Sequence, residues 1–141
     1  MTDEQRGLLA RRLHIASQQQ PEILILRQLL LEFGGAELVA PPELDADLAS
    51  LLADGHLMLG TVTEVSMHKS ACHQNVAVLW RQGGLSGIGT GYALSGDLWR
   101  QHSWGVKNDC IIETTATRLK YFGLLLTGES ADHFARLNPP D

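Results

Sequence analysis

Up to about residue 56, apolar residues recur at helical spacing; beyond it they alternate or cluster in short β-branched runs. Thr2 or Asp3 can cap a first helix whose opening turn is acidic. Leu8, Leu9, Leu13 and Ile15 or Ala16 give that helix an apolar face. Pro21 suits the first turn of a second helix, with Ile23, Leu24, Leu26, Leu30 and Leu31 inward and Gly34 and Gly35 as its stop. After Pro41 and Pro42, residues Glu43 to Ala53 read as a third helix ended by Gly55, with Leu44, Leu48, Leu51 and Leu52 facing the core.

From Leu57 the texture becomes that of a sheet. Leu57 to Val65 reads as a short strand or an extended approach. Ser70 is a candidate N-cap, which places Cys72 in the first turn of a helix ending near Gln82 to Gly84. Leu85 to Leu94 is a strand whose Gly87, Gly89 and Gly91 signal bulges or close backbone approach. Gln101 to Val106 alternates, with His102, Trp104 and Val106 on one face, and Cys110 to Thr115 is rich in β-branched residues. Arg118 to Leu126 reads as a last strand and Ser130 to Leu137 as a terminal helix. The whole predicts one α+β domain over residues 1–141. A helical part, 1–56, packs on a small antiparallel sheet within 57–141.

The turn between the two central strands carries a geometric consequence. Asn108 and Asp109 tolerate positive φ and suit a two-residue hairpin loop. Lys107 then pairs with Cys110, Trp104 sits opposite Glu113, and His102 sits opposite Thr115. His102 and Glu113 become diagonal neighbours on one face, within reach of each other. A loop of odd length would send Glu113 to the opposite face.

That places a histidine beside a carboxylate that can orient it, and Cys72 supplies the missing nucleophile. A helix N-terminus favours a thiolate, through unpaired N–H groups and a partial positive charge, and the same groups can hold an oxyanion. Asn75, Trp104 and Tyr92 are candidates for substrate or oxyanion contact; Asn75 equally suits an exposed amide, Trp104 reads as core packing in either case, and Tyr92 suits core or rim packing at least as well. Trp80 and Trp99 stand in the same position, and Cys110, on the opposite parity from Glu113, reads as structural.

Composition narrows the remaining classes. Net charge is −5 and the pI about 5.6, which argues against nucleic acid. Two cysteines are too few for a disulfide scaffold, the first twelve residues lack an apolar signal core, and no apolar run reaches a membrane span. A cytoplasmic protein with reduced thiols and no cofactor is the expectation. His68, Cys72, His73 and His102 are potential zinc ligands, but without a paired metal-binding spacing. A non-catalytic protein- or ligand-binding module remains open. The apolar N-terminal helices are a candidate surface for a homodimer or a partner.

Cys72 at a helix start, His102-Ser103-Trp104 on a strand and Glu113-Thr114-Thr115 on the next resemble the transglutaminase-like branch of the papain-like cysteine enzymes, over roughly residues 57–126. The resemblance implies a papain-like core and thiol acyl-transfer chemistry. Cys72 would be the nucleophile, His102 the base and then acid, and Glu113 the orienter. The substrate would be a peptide, an amide or a whole protein. Peptidase, amidase, deamidase and transglutaminase activities all fit.

Overall fold

Seven strands form one mixed sheet that curls on itself, accompanied by five helices; the computed structural model describes residues 1–140. In chain order the elements are α1 (Asp3–Gln19), α2 (Ile23–Phe33), β1 (Glu37–Leu38), α3 (Leu48–Asp54), β2 (His56–Met58) and β3 (Thr61–Glu64). Then come α4 (Cys72–Arg81), β4 (Gly87–Ser95), β5 (Leu98–Lys107), β6 (Cys110–Glu113), β7 (Lys120–Leu126) and α5 (Gly128–Leu137). The strand order is β2-β7-β4-β5-β6-β3, with β1 alongside β5. The α+β class holds, but the sheet is neither small nor purely antiparallel: β1 runs parallel to β5 and β3 parallel to β6. Both parallel partners are too short for periodicity to reveal.

The β4–β5 ladder divides the interior. It pairs Gly91 with His102, Thr90 with Ser103 and Gly89 with Trp104, so His102 and Trp104 share one face and Ser103 takes the other. On the Ser103 side, Tyr92, Leu94 and Trp99 pack with Ile23, Leu26, Leu30, Leu48 and Leu51 of α2 and α3. On the same side Ile88 meets Val76 of α4 and Ala131 of α5. Inside the curl, Trp104, Ala93, Ile111 and Tyr121 pack with Met58 and Val62. Gly89 is the close approach expected of β4: a Cβ there would lie 2.0 Å from Trp104 Nε1.

Local departures from the periodic reading have identifiable causes. Thr2 caps α1 as expected, accepting from Gln5 N at 3.1 Å while Gln5 Oε1 accepts from Thr2 N at 2.8 Å. Yet α1 buries no residue, and Leu8 and Ile15, expected to face the core, are 52% and 55% exposed. The third helix begins at Leu48, not Glu43, and Leu44 is exposed rather than inward. Buried Asp45 prevents the earlier start. Its carboxylate accepts from Tyr92 Oη and from Asp47 N, and its backbone binds the Gln20 amide. Leu57 to Val65 splits into β2 and β3 at Gly60. Ser70 is not the N-cap of α4: its φ is +61°, and Ala71 holds the cap position without a side-chain hydrogen bond. No helix among the described residues is long and apolar enough to cross a membrane.

Candidate active site

The β5–β6 turn sets the register as the loop chemistry anticipates. Asn108 has φ +56°, and Lys107 pairs with Cys110, Val106 with Ile111 and Gly105 with Ile112. His102 and Glu113 accordingly meet, with Nε2 to Oε1 at 2.8 Å, and are 3% and 0% exposed.

A carboxylate this deep needs all its acceptor sites used. Oε1 also accepts from Tyr121 Oη at 2.9 Å, and Oε2 accepts from the Thr115 amide and hydroxyl, each at 3.0 Å. Burial alone would raise the Glu113 pKa. The His102 ring, the Thr115 amide and the Tyr121 hydroxyl outweigh burial and hold it below its usual 4.5. An ionised carboxylate only accepts, so His102 Nε2–H must donate, and Nδ1 is left for the thiol.

Cys72 is the first residue of α4 and is half-buried. Burial pushes its thiol up, but the His102 and His73 imidazoles beside it prevail and bring it from 9.0 to about 5. The same contact acts in reverse on His102. Burial lowers its pKa, but Cys72 and Glu113 raise it above 6.5. A thiolate–imidazolium pair is therefore the favoured state near neutrality.

The placement of Cys72 depends on how α4 docks. The β5–β6 ladder reaches back only to Gly105 and Ile112, and α4 packs on β5, its start held to Ser103 of β5 and to Thr114 just past β6. Two consecutive helix residues, Cys72 and His73, meet two consecutive strand residues, His102 and Ser103. His73 Nδ1 lies 2.6 Å from Ser103 Oγ, which in turn lies 2.8 Å from Thr90 Oγ1. From the other side, Asn75 Nδ2 donates to His68 O at 2.8 Å and to Thr114 Oγ1 at 3.2 Å.

Cys72, His102 and Glu113 are thus brought together, and the other candidates take distinct places. Asn75 clamps the helix start to the loop before it and to the end of β6. Trp104 is buried, with its ring stacked over His102 at 6.1 Å and edge-on to Tyr121 at 5.0 Å. Tyr92 is buried under α2 and α3 with its hydroxyl on Asp45, away from this group. Trp99 is in the same core, and Trp80 Nε1 donates to Asp132 of α5. Cys110 sits beside the β5–β6 turn, opposite Lys107. Among the described residues, no group of three or more His, Cys, Asp or Glu is arranged to hold a metal, so the zinc reading has no ligand set.

Sequence reasoning missed Tyr121, named Ser103 and Thr115 without foreseeing their hydrogen bonds, and saw His73 only as a metal ligand. Thr115 was legible, since its amide and hydroxyl close a local turn on the carboxylate two residues earlier. Tyr121 was not, because β7 reaches the site across β4. No protein-family model, curated protein or solved structure matches this chain.

Proposed function

We propose that this protein is a cysteine-dependent acyl-transfer enzyme of the transglutaminase-like kind, with Cys72 as nucleophile, His102 as base and acid, and Glu113 as orienter. One observation carries the reading: a half-buried thiol at a helix start is held low by an imidazole whose other nitrogen donates to a fully partnered carboxylate. A purely structural cysteine is usually a protonated, inert small hydrophobe.

The chemistry follows from these atoms. The Cys72 thiolate attacks an acyl carbon and forms a C–S bond, and the carbonyl electrons move onto oxygen. The open N–H groups at the start of α4, where Ala71 supplies no side-chain cap, can hold that oxyanion. Collapse breaks the bond to the leaving nitrogen or oxygen, which takes the Nδ1 proton of His102. Water or an amine then attacks the thioester while His102 Nδ1 accepts its proton, and the thiolate departs. Glu113 stays ionised throughout and stabilises the imidazolium. The substrate class is a peptide or amide carbonyl. A cytoplasmic, reducing setting suits an enzyme that depends on a free thiol.

The test is trapping of the acyl-enzyme. Incubation with p-nitrophenyl acetate should add the mass of one acetyl group at Cys72, with turnover restored by an added amine or by water. Cys72→Ala and His102→Gln should not form the adduct at comparable rates. Acetylation of Cys72 no faster than of Cys110 in the folded protein would overturn the proposal.

A further inference from the structure

The N-terminal helix poses a separate question. α1 buries none of its 17 residues, and it joins the core only through Leu13 and Ala16. Arg12 is turned to the body of the protein by a 2.7 Å bond to Ala40 O. On the outward side, Met1, Leu8 and Ile15 are 46%, 52% and 55% exposed. Leu8 and Ile15 are seven residues apart on the helix and so share one stripe, and Met1, just before the Thr2 cap, lines the same groove. The stripe lines one wall of an apolar groove of about 560 Å³, and Leu98, Asp97 and Arg100 of the β4–β5 hairpin line the other.

We propose that this stripe is a homodimer interface, in which α1 pairs antiparallel with α1 of a second copy about a two-fold axis close to Leu8. The charge pattern selects this occupant and register. With the axis near Leu8, the Leu8 side chains of the two copies meet, and Glu4 comes beside Arg11 of the second copy on the same flank. The symmetry makes that ion pair twice. Sliding the axis to midway between Leu8 and Ile15 brings the arginines of the two copies together. A parallel pairing holds Glu4 and Arg11 of the two copies about 10 Å apart along the axis and makes no such ion pair. Like charges disfavour the first alternative, and the second gains no ion pair. On the hairpin wall of the groove, Leu98 adds apolar contact beyond the helix pair, and Asp97 and Arg100 add a polar rim.

The experiment is sedimentation velocity across a concentration series, with a circular-dichroism melt to verify folding. The wild-type chain should shift from monomer to dimer as concentration rises. Leu8→Glu changes a half-exposed side chain, so it should fold normally and remain monomeric. Glu4→Arg and Arg11→Glu should each be monomeric alone, since each places like charges together twice. Mixed in equal amounts, they should form a heterodimer, because one chain then carries two arginines and the other two glutamates at the contact. A wild-type chain that stays monomeric throughout would overturn the proposal, as would a dimer that survives Leu8→Glu. Charge variants that dimerise alone, or a mixture that does not, would overturn the register. A monomeric chain that binds a different protein through this stripe would replace the second copy as occupant.

Discussion

Replacing His102 with Gln and following Cys72 alkylation by iodoacetamide against pH gives a direct reading of the site. Gln can still donate to Glu113, so the buried carboxylate keeps a partner. The stability loss should be about 1–3 kcal/mol, less than the roughly 3–5 kcal/mol of leaving a buried charge unpaired. In the wild type the thiol ionises at about 5 rather than 9.0. At pH 7 that makes it about 99% thiolate instead of about 1%, roughly a hundredfold gain. A less basic thiolate is also a weaker nucleophile, and a Brønsted slope of about 0.4–0.5 removes roughly 40–100-fold of that gain. The two effects nearly cancel at neutrality, so a single rate at pH 7 decides little. At about pH 5.5 the thiolate advantage rises to roughly 2,000-fold while the nucleophilicity loss is unchanged, leaving a net gain of roughly tens-fold. The profile should therefore have its midpoint near 5 in the wild type. His102 is the first-ranked of the influences lowering the thiol, so His102→Gln should move the midpoint upward by more than about one pH unit, with at least a roughly three- to fourfold net loss of rate on the acid side once the stronger nucleophile is counted. Mass spectrometry of the two cysteine peptides separates Cys72 from Cys110. A wild-type midpoint near 9, or superimposable wild-type and His102→Gln profiles, would refute the ion pair.

Three further outcomes follow from the same geometry. The folded-state pKa of Glu113 is depressed, so its contribution to stability is complete above pH 4.5 and is lost as pH falls through the lowered value. Glu113→Gln should flatten the acid limb of the stability curve and raise the Cys72 alkylation midpoint; unchanged reactivity per folded molecule would reduce Glu113 to a structural charge. Asn75→Ala should cost about 1–3 kcal/mol in urea unfolding, because it strips a buried Thr114 hydroxyl and the His68 carbonyl of their shared donor. It should also slow acylation in the folded fraction by loosening the start of α4, and wild-type rates would show that the clamp does not position Cys72. His73→Asn should raise the Cys72 midpoint by less than His102→Gln does, since His73 is the smaller of the two hydrogen-bonding influences; an equal or larger rise would reverse the assignment of base.

Local chemistry in the sequence determined a good deal. The Asn108-Asp109 turn was legible as a two-residue loop, and pleat alternation then carried His102 and Glu113 to one face without further information. The Thr2 cap and the Gly55 stop are likewise local, since each depends on residues within one turn, whereas α4 begins at Cys72 without the Ser70 cap that argued for it. Helical periodicity correctly assigned Ile23, Leu26 and Leu30 to the core but misjudged Leu8, Ile15, Leu24 and Leu44, because it measures amphipathicity and not what lies opposite. Only the tertiary structure decided that buried Asp45 delays α3, that β1 and β3 pair in parallel, and that Tyr121 reaches Glu113 from β7. It alone decided that the start of α4 packs on β5, so that Cys72 meets His102 and His73 meets Ser103. These contacts join residues 8 to 61 positions apart, and no local pattern encodes them. They arise when buried polar groups, cut off from water, must find partners from whatever elements pack nearby.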